Sequence, residues 1–207
     1  MLNRDRLERE LPEFNTETKK ALNDLGFDFY RLNGLPFLDI AGYHKVPDLK
    51  IPYTNLASSD LITHSVAGEV AVSSDPKLFI LHDTPYGSAR EQQKKAKHFV
   101  AALRNEAGIA SIVPAVLTHS SWLDLVLGIT RQTEKSPFDR VPNKIFTRTS
   151  NDYAFGYFIE EDSVVQAVYG DLETSGFPLL RIVPFNKHVA SSQVGLALVI
   201  AAAPPES

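Results

Sequence analysis

The passage from Lys77 to Glu106 restricts the fold most, because three local signals follow one another there without a gap. Leu78, Phe79, Ile80 and Leu81 make a short apolar run suited to a buried strand. His82, Asp83, Thr84, Pro85, Tyr86 and Gly87 then combine turn formers with ionisable groups. Ser88 to Glu91 spells Ser-Ala-Arg-Glu, the Ser-x-x-Glu pattern of a capping box. A helix over about 88–106 is therefore predicted, with Ala96, Phe99, Val100, Leu103 and Ala107 recurring at three- and four-residue steps as one apolar stripe. Strand, polar turn and helix N-terminus together suit an anion, since the first N–H groups of a helix have no partner within it.

A chain of 207 residues can bury its own core, and the simplest organisation is one domain over 1–207 with a short N-terminal helical segment over about 1–26. With no cysteine, disulfides, thiolate metal sites and cysteine nucleophiles are excluded, leaving oxygen and nitrogen chemistry. The formal charge of −4 gives no general attraction to nucleic acid or to an anionic membrane, and neither is expected as a partner. Charges fill the first ten residues where a signal peptide needs an apolar stretch. Val194 to Ala203, the most apolar window, is about half the ~20 residues that span a bilayer. A soluble, cytoplasmic protein is the expectation.

Asn15 or Thr16 opens a helix that Gly26 closes, with Phe27 folding back on Leu22. Leu35 to Ile40 reads as a strand with Pro36 at an edge or first position, and Glu69 to Val72 as another. Ile112, Val116, Leu123 and Leu127 fall on a helical stripe, with Pro114 tolerated in the first turn, so a second helix is predicted over about 114–127. Lys144 to Thr149, Tyr153 to Glu160 and Ser163 to Tyr169 read as successive strands. Leu179 to Val183 adds one more, and Val194 to Ala203 a strand or helix. The class is α+β: a mixed or antiparallel sheet, two main helices packed on it, and a C-terminal antiparallel meander.

His82 and Asp83, a histidine and a carboxylate ahead of a helix N-terminus, have the residue types of a base and its orienter. The plainer reading is a turn in which Asp83 accepts backbone N–H bonds. The pair resembles that of the His-Asp metal-dependent phosphohydrolases, but theirs lies on a helix, whereas Phe79, Ile80, Pro85 and Gly87 surround this one with strand and turn residues, and that family is set aside. His119 with Ser120 and Ser121 supplies imidazole and hydroxyl. Adjacent helix residues point about 100° apart, however, and no Gly-x-Ser-x-Gly elbow is present.

No two of the six histidines have the spacing of paired metal ligands on one helix face. No metal and no cofactor is expected; His82, Asp83 and His119 are the set a metal would use. Arg90, Lys94, Lys97 and Arg104 fall near one face of the central helix, where a solvated row is the default and an acidic protein surface the functional alternative. Tyr153, Phe155 and Tyr157 share one strand face, a ligand floor or, more simply, core. No catalytic motif is complete. The sequence favours non-enzymatic recognition of a protein partner or small anionic ligand, with Tyr86, Gly87, Ser88 and Arg90 as contacts. The alternative is a hydrolase or other acid–base enzyme with His82 as base, Asp83 as orienter or metal ligand and His119 arriving from the next helix.

Overall fold

The computed structural model describes residues 10–45, 63–75, 79, 81, 87–134, 146–150, 153–157, 180–184 and 194–204. Two sheets and four helices are formed by these residues, and the class is α+β. In chain order the elements are α1 (Thr16–Asp24), β1 (Phe27–Asn33), α2 (Phe37–Tyr43), β2 (Ala67–Ser73), α3 (Ala89–Ala107), β3 (Ile112–Ala115) and α4 (His119–Thr133). They continue with β4 (Phe146–Arg148), β5 (Tyr153–Tyr157), β6 (Leu180–Pro184), β7 (Val194–Gly195) and β8 (Val199–Ala202).

The first sheet is antiparallel throughout, in the order β1-β2-β8-β3. Both of its faces are covered. Because side chains alternate along a strand, Val70 and Val72 enter one core with Tyr30, Leu32 and Val199, against Phe37 and Ile40 of α2 and Trp122 and Val126 of α4. Ala71 and Ile200 enter a second core with Phe27, against Leu22 of α1 and Ala96, Val100 and Leu103 of α3. Val199 to Ala202 are all buried, which explains an apolar run with no alternation. The second sheet has the order β6-β5-β4-β7, antiparallel except for β4 beside β7. Its β7 runs through Leu196 to Leu198 into β8, and the Ala197 N–H donates to Thr147 Oγ1 at 3.0 Å, joining the two sheets.

Local end signals are honoured where they are complete. Asn15 caps α1 by accepting from the Thr18 N–H, and Gly26 takes the left-handed conformation after it. Ser88 and Glu91 form the capping box of α3, which Gly108 closes in the left-handed conformation.

Three predicted elements are corrected. Leu35 to Ile40 is no strand: Pro36 precedes the helix α2, whose Phe37 and Ile40 are buried one turn apart. Pro fits the entrance of a helix as well as a strand edge. The helix expected from 114 begins at His119 instead, because Thr118 caps it by accepting from the Ser121 N–H, and Pro114 lies in β3. That strand is at the sheet edge, where a missing N–H is tolerated. In the run Leu78 to Leu81, Phe79 is helical, its N–H donating to the Asp75 carbonyl at 2.9 Å. Phe79 and Leu81 are buried, as an apolar run must be, but four residues do not distinguish a strand from a buried turn. The expected strand over 163–169 lies outside the described residues.

Gly68 lies where the N-terminal stretch pairs alongside the start of β2, Glu10 bridging to Ala67. Its φ is +125°, and a Cβ there would collide with the Leu11 carbonyl oxygen, while the Leu11 N–H donates to the Ala67 carbonyl at 2.6 Å. Gly68→Ala is expected to lower the urea midpoint without changing the slope. Ile200→Ala, at a site with 0% exposure, is expected to cost about 2–5 kcal/mol by the same measurement.

Candidate functional site

Trp122 to Leu127 is apolar save for one residue, Asp124, and that carboxylate is only 1% exposed. An ionised carboxylate in such a place must be fully hydrogen-bonded. Oδ1 accepts from Asn33 Nδ2 at 2.9 Å and from His44 Nε2 at 2.7 Å. Oδ2 accepts from the Asn33 backbone N–H at 2.7 Å and from Ser65 Oγ at 2.9 Å. Burial pushes the Asp124 carboxyl up, but the bonds from His44, from the N–H and side chain of Asn33 and from Ser65 outweigh it and hold the group below the ordinary aspartate range.

The donors are themselves held. Asn33 Oδ1 accepts from the Tyr43 hydroxyl at 3.1 Å, and Ser65 Oγ accepts from the Leu35 N–H at 2.8 Å. His44 follows α2, where its backbone N–H donates to the Ile40 carbonyl at 3.1 Å, and its ring meets the Tyr43 ring edge-on at 5.1 Å. Gly128, one helical turn beyond Asp124, sits beside the same ring: a Cβ there would be 3.6 Å from His44 Cε1. Since Nε2 faces a carboxylate, it carries a proton. In the neutral form of the ring Nδ1 is then a bare lone pair, and this buried nitrogen has no hydrogen-bond partner among the described residues.

The first turn of α4 forms a separate polar cluster. His119 Nε2 lies 3.2 Å from Thr63 Oγ1, which also bonds to Ser120 Oγ at 2.5 Å, and Ser121 Oγ accepts from the Val66 N–H at 2.9 Å. His119, Ser120 and Ser121 are fully buried. They fasten the 63–66 stretch to the helix. His119 and Ser120, which point apart on the helix, are brought onto one hydroxyl by Thr63.

Of the residues singled out from sequence, His82, Asp83 and Tyr86 lie outside the described residues. Gly87 and Ser88 are half-buried at the start of α3, and Arg90 is exposed on its first turn. The polar groups of Ser88 are committed: Glu91 Oε2 accepts from its N–H and from its hydroxyl, each at 2.7 Å. The Ser88 side-chain bond, with the backbone bond next, holds the Glu91 carboxyl below the ordinary glutamate range. Among the described residues no three His, Cys, Asp or Glu side chains gather as a metal set, and no helix is long and apolar enough to cross a membrane.

Sequence reasoning missed the pairing of His44 with Asp124, which are 80 positions apart. A single carboxylate inside a six-residue apolar run was the available signal. Comparison of the chain with family models, with curated proteins and with solved structures found no match.

A carboxyl held below its unfolded value contributes stability above that value, and the contribution is lost as pH falls through the folded value. Below the ordinary aspartate value of 3.8, the urea midpoint is therefore expected to fall faster in the parent protein than in Asp124→Asn. At neutral pH Asp124→Ala is expected to cost roughly 3–5 kcal/mol, because it leaves buried donors unpaired.

Proposed function

We propose that the chain is a recognition domain that binds a small ligand presenting an O–H or N–H group to His44 Nδ1. The observation that carries this reading is that nitrogen: it is buried and unpartnered among the described residues, on a ring otherwise set by Asp124, Tyr43 and Gly128. Buried polar atoms are rarely left unpaired, and a ligand donor removes the cost. Beside the ring, Tyr43 is exposed and Gly128, which has no side chain, is half-buried.

A second reading has support from the 2.7 Å bond between Asp124 and His44, which is the relation of an orienting carboxylate to a general base. Here the acid–base enzyme that the sequence offered as the alternative is kept as a class, with His44 in the role assigned to His82. Both readings require the same tautomer and differ in whether the bound molecule is changed.

Long-range proton–nitrogen NMR of the imidazole rings tests the shared premise. At neutral pH the His44 proton is expected on Nε2, with a bare-nitrogen shift at Nδ1; a proton on Nδ1 sinks both readings. Thermal shift against small alcohols, carboxylic acids, amides and azoles then looks for the ligand. A true binder at a hundred times its Kd adds about 2.7 kcal/mol to the parent protein and none to His44→Gln. Recovery of the binder unaltered supports recognition, and conversion that disappears in His44→Gln supports the enzyme.

A further inference from the structure

The outer face of α3 is independent of the His44 site. Arg90, Lys94, Lys97 and His98 are all exposed, and none of them is paired with a carboxylate among the described residues. Glu91, the acidic residue on this stretch, is committed to the Ser88 cap. Arg104, grouped with this row on sequence spacing, does not belong to it, because its guanidinium donates to the Ile112 carbonyl. The row therefore begins at Arg90, one of the residues expected to touch a ligand, and ends in the open surface at Ala101 and Ala102. It concentrates positive charge in a chain whose formal charge is −4.

We infer that this face of α3 docks an acidic segment of a partner protein, with Arg90, Lys94 and Lys97 as the contacting cations. Steps of four and three residues put these side chains on one stripe, separated along the axis by about 6 and 4.5 Å. A helix bearing glutamates at the same steps matches that spacing, and so, nearly, does an extended segment with an acid at every second residue, about 6.6 Å apart. A nucleic-acid strand has the right charge but needs aromatic platforms for its bases. α3 carries no Tyr or Trp, and its one Phe, Phe99, is packed against the core formed with α1 and the first sheet, which leaves only the His98 ring on the exposed face. Exposed ion pairs contribute little singly, so the partner must engage several at once and its hold must weaken with salt.

Fluorescence anisotropy with a labelled glutamate homopeptide, and separately with a thymidine homopolymer of the same charge, tests the assignment on the full chain. The glutamate peptide is expected to bind at low ionic strength and to weaken about tenfold or more on going to physiological salt. Arg90→Glu with Lys94→Glu and Lys97→Glu is expected to abolish binding. The milder Lys94→Gln with Lys97→Gln is expected to weaken it several-fold, with the circular dichroism of the parent retained. Absence of peptide binding, tighter binding of the thymidine strand, or unchanged binding by the folded variants would each overturn the inference. His44→Gln, which removes the site proposed above, is expected to bind the peptide like the parent, so the two proposals fail separately.

Discussion

The Asp124 carboxylate is the constraint around which one side of the molecule is arranged. Placed inside an apolar helix, it has to be met by donors from elsewhere, and the donors come from the end of β1, the end of α2 and the approach to β2. Each oxygen accepts two bonds, so no lone pair is left to penalise the burial. Apolar packing of α2 and α4 on the sheet tolerates sliding by a fraction of a turn, whereas four hydrogen bonds to one carboxylate do not. The hydrophobic cores supply the driving force for this layer, and the carboxylate selects its register.

That register matters because the sheet beneath has no solvent side. An antiparallel sheet usually advertises itself by alternation, one face apolar and one polar. Here β2 and β8 bury both faces, between α1 and α3 on one side and α2 and α4 on the other. β8, the last strand of the first sheet in chain order, lies in its interior between β2 and β3. The sheet is therefore incomplete until a segment well over a hundred residues downstream of β1 has inserted, and such non-local pairing carries a loop-entropy cost.

These facts decide what could be read from the chain. Helix α3 and the start of α1 were legible to within a residue or so, since Ser88, Glu91, Asn15, Gly26 and Gly108 act through neighbours three or four positions away. The alternation of β1 was obscured by the glycines and prolines that follow it. Pro36 and Pro114 were each assigned the wrong element for one reason: proline restricts φ and removes a donor, and both an element's entrance and a sheet edge accept those terms. In the run Leu78 to Leu81, the described residues Phe79 and Leu81 are buried as the pattern announced, but the pattern did not announce the conformation. The site was the least legible part. His44 looked like one of six scattered histidines, and nothing at short range links it to Asp124, although the isolated acid in the run Trp122 to Leu127 already demanded unseen partners.

The same reasoning bears on why residue 44 is a histidine. A serine, asparagine or glutamine placed there can also donate to a carboxylate, so the need of Asp124 for a fourth donor does not single out an imidazole. What distinguishes the ring is a rigid second nitrogen held on the far side of it, fixed in direction by the first bond, by Tyr43 and by Gly128. That nitrogen has no partner among the described residues, and a buried acceptor left so costs about 1–3 kcal/mol, which offsets much of what the Asp124 bond contributes. A purely structural tie would be better served by a side chain that ends where the bond is made. Acceptance of the cost follows if Nδ1 is paired when the protein works, and this is what makes His44, rather than the more thoroughly buried His119 with its Thr63 partner, the centre of the proposed site.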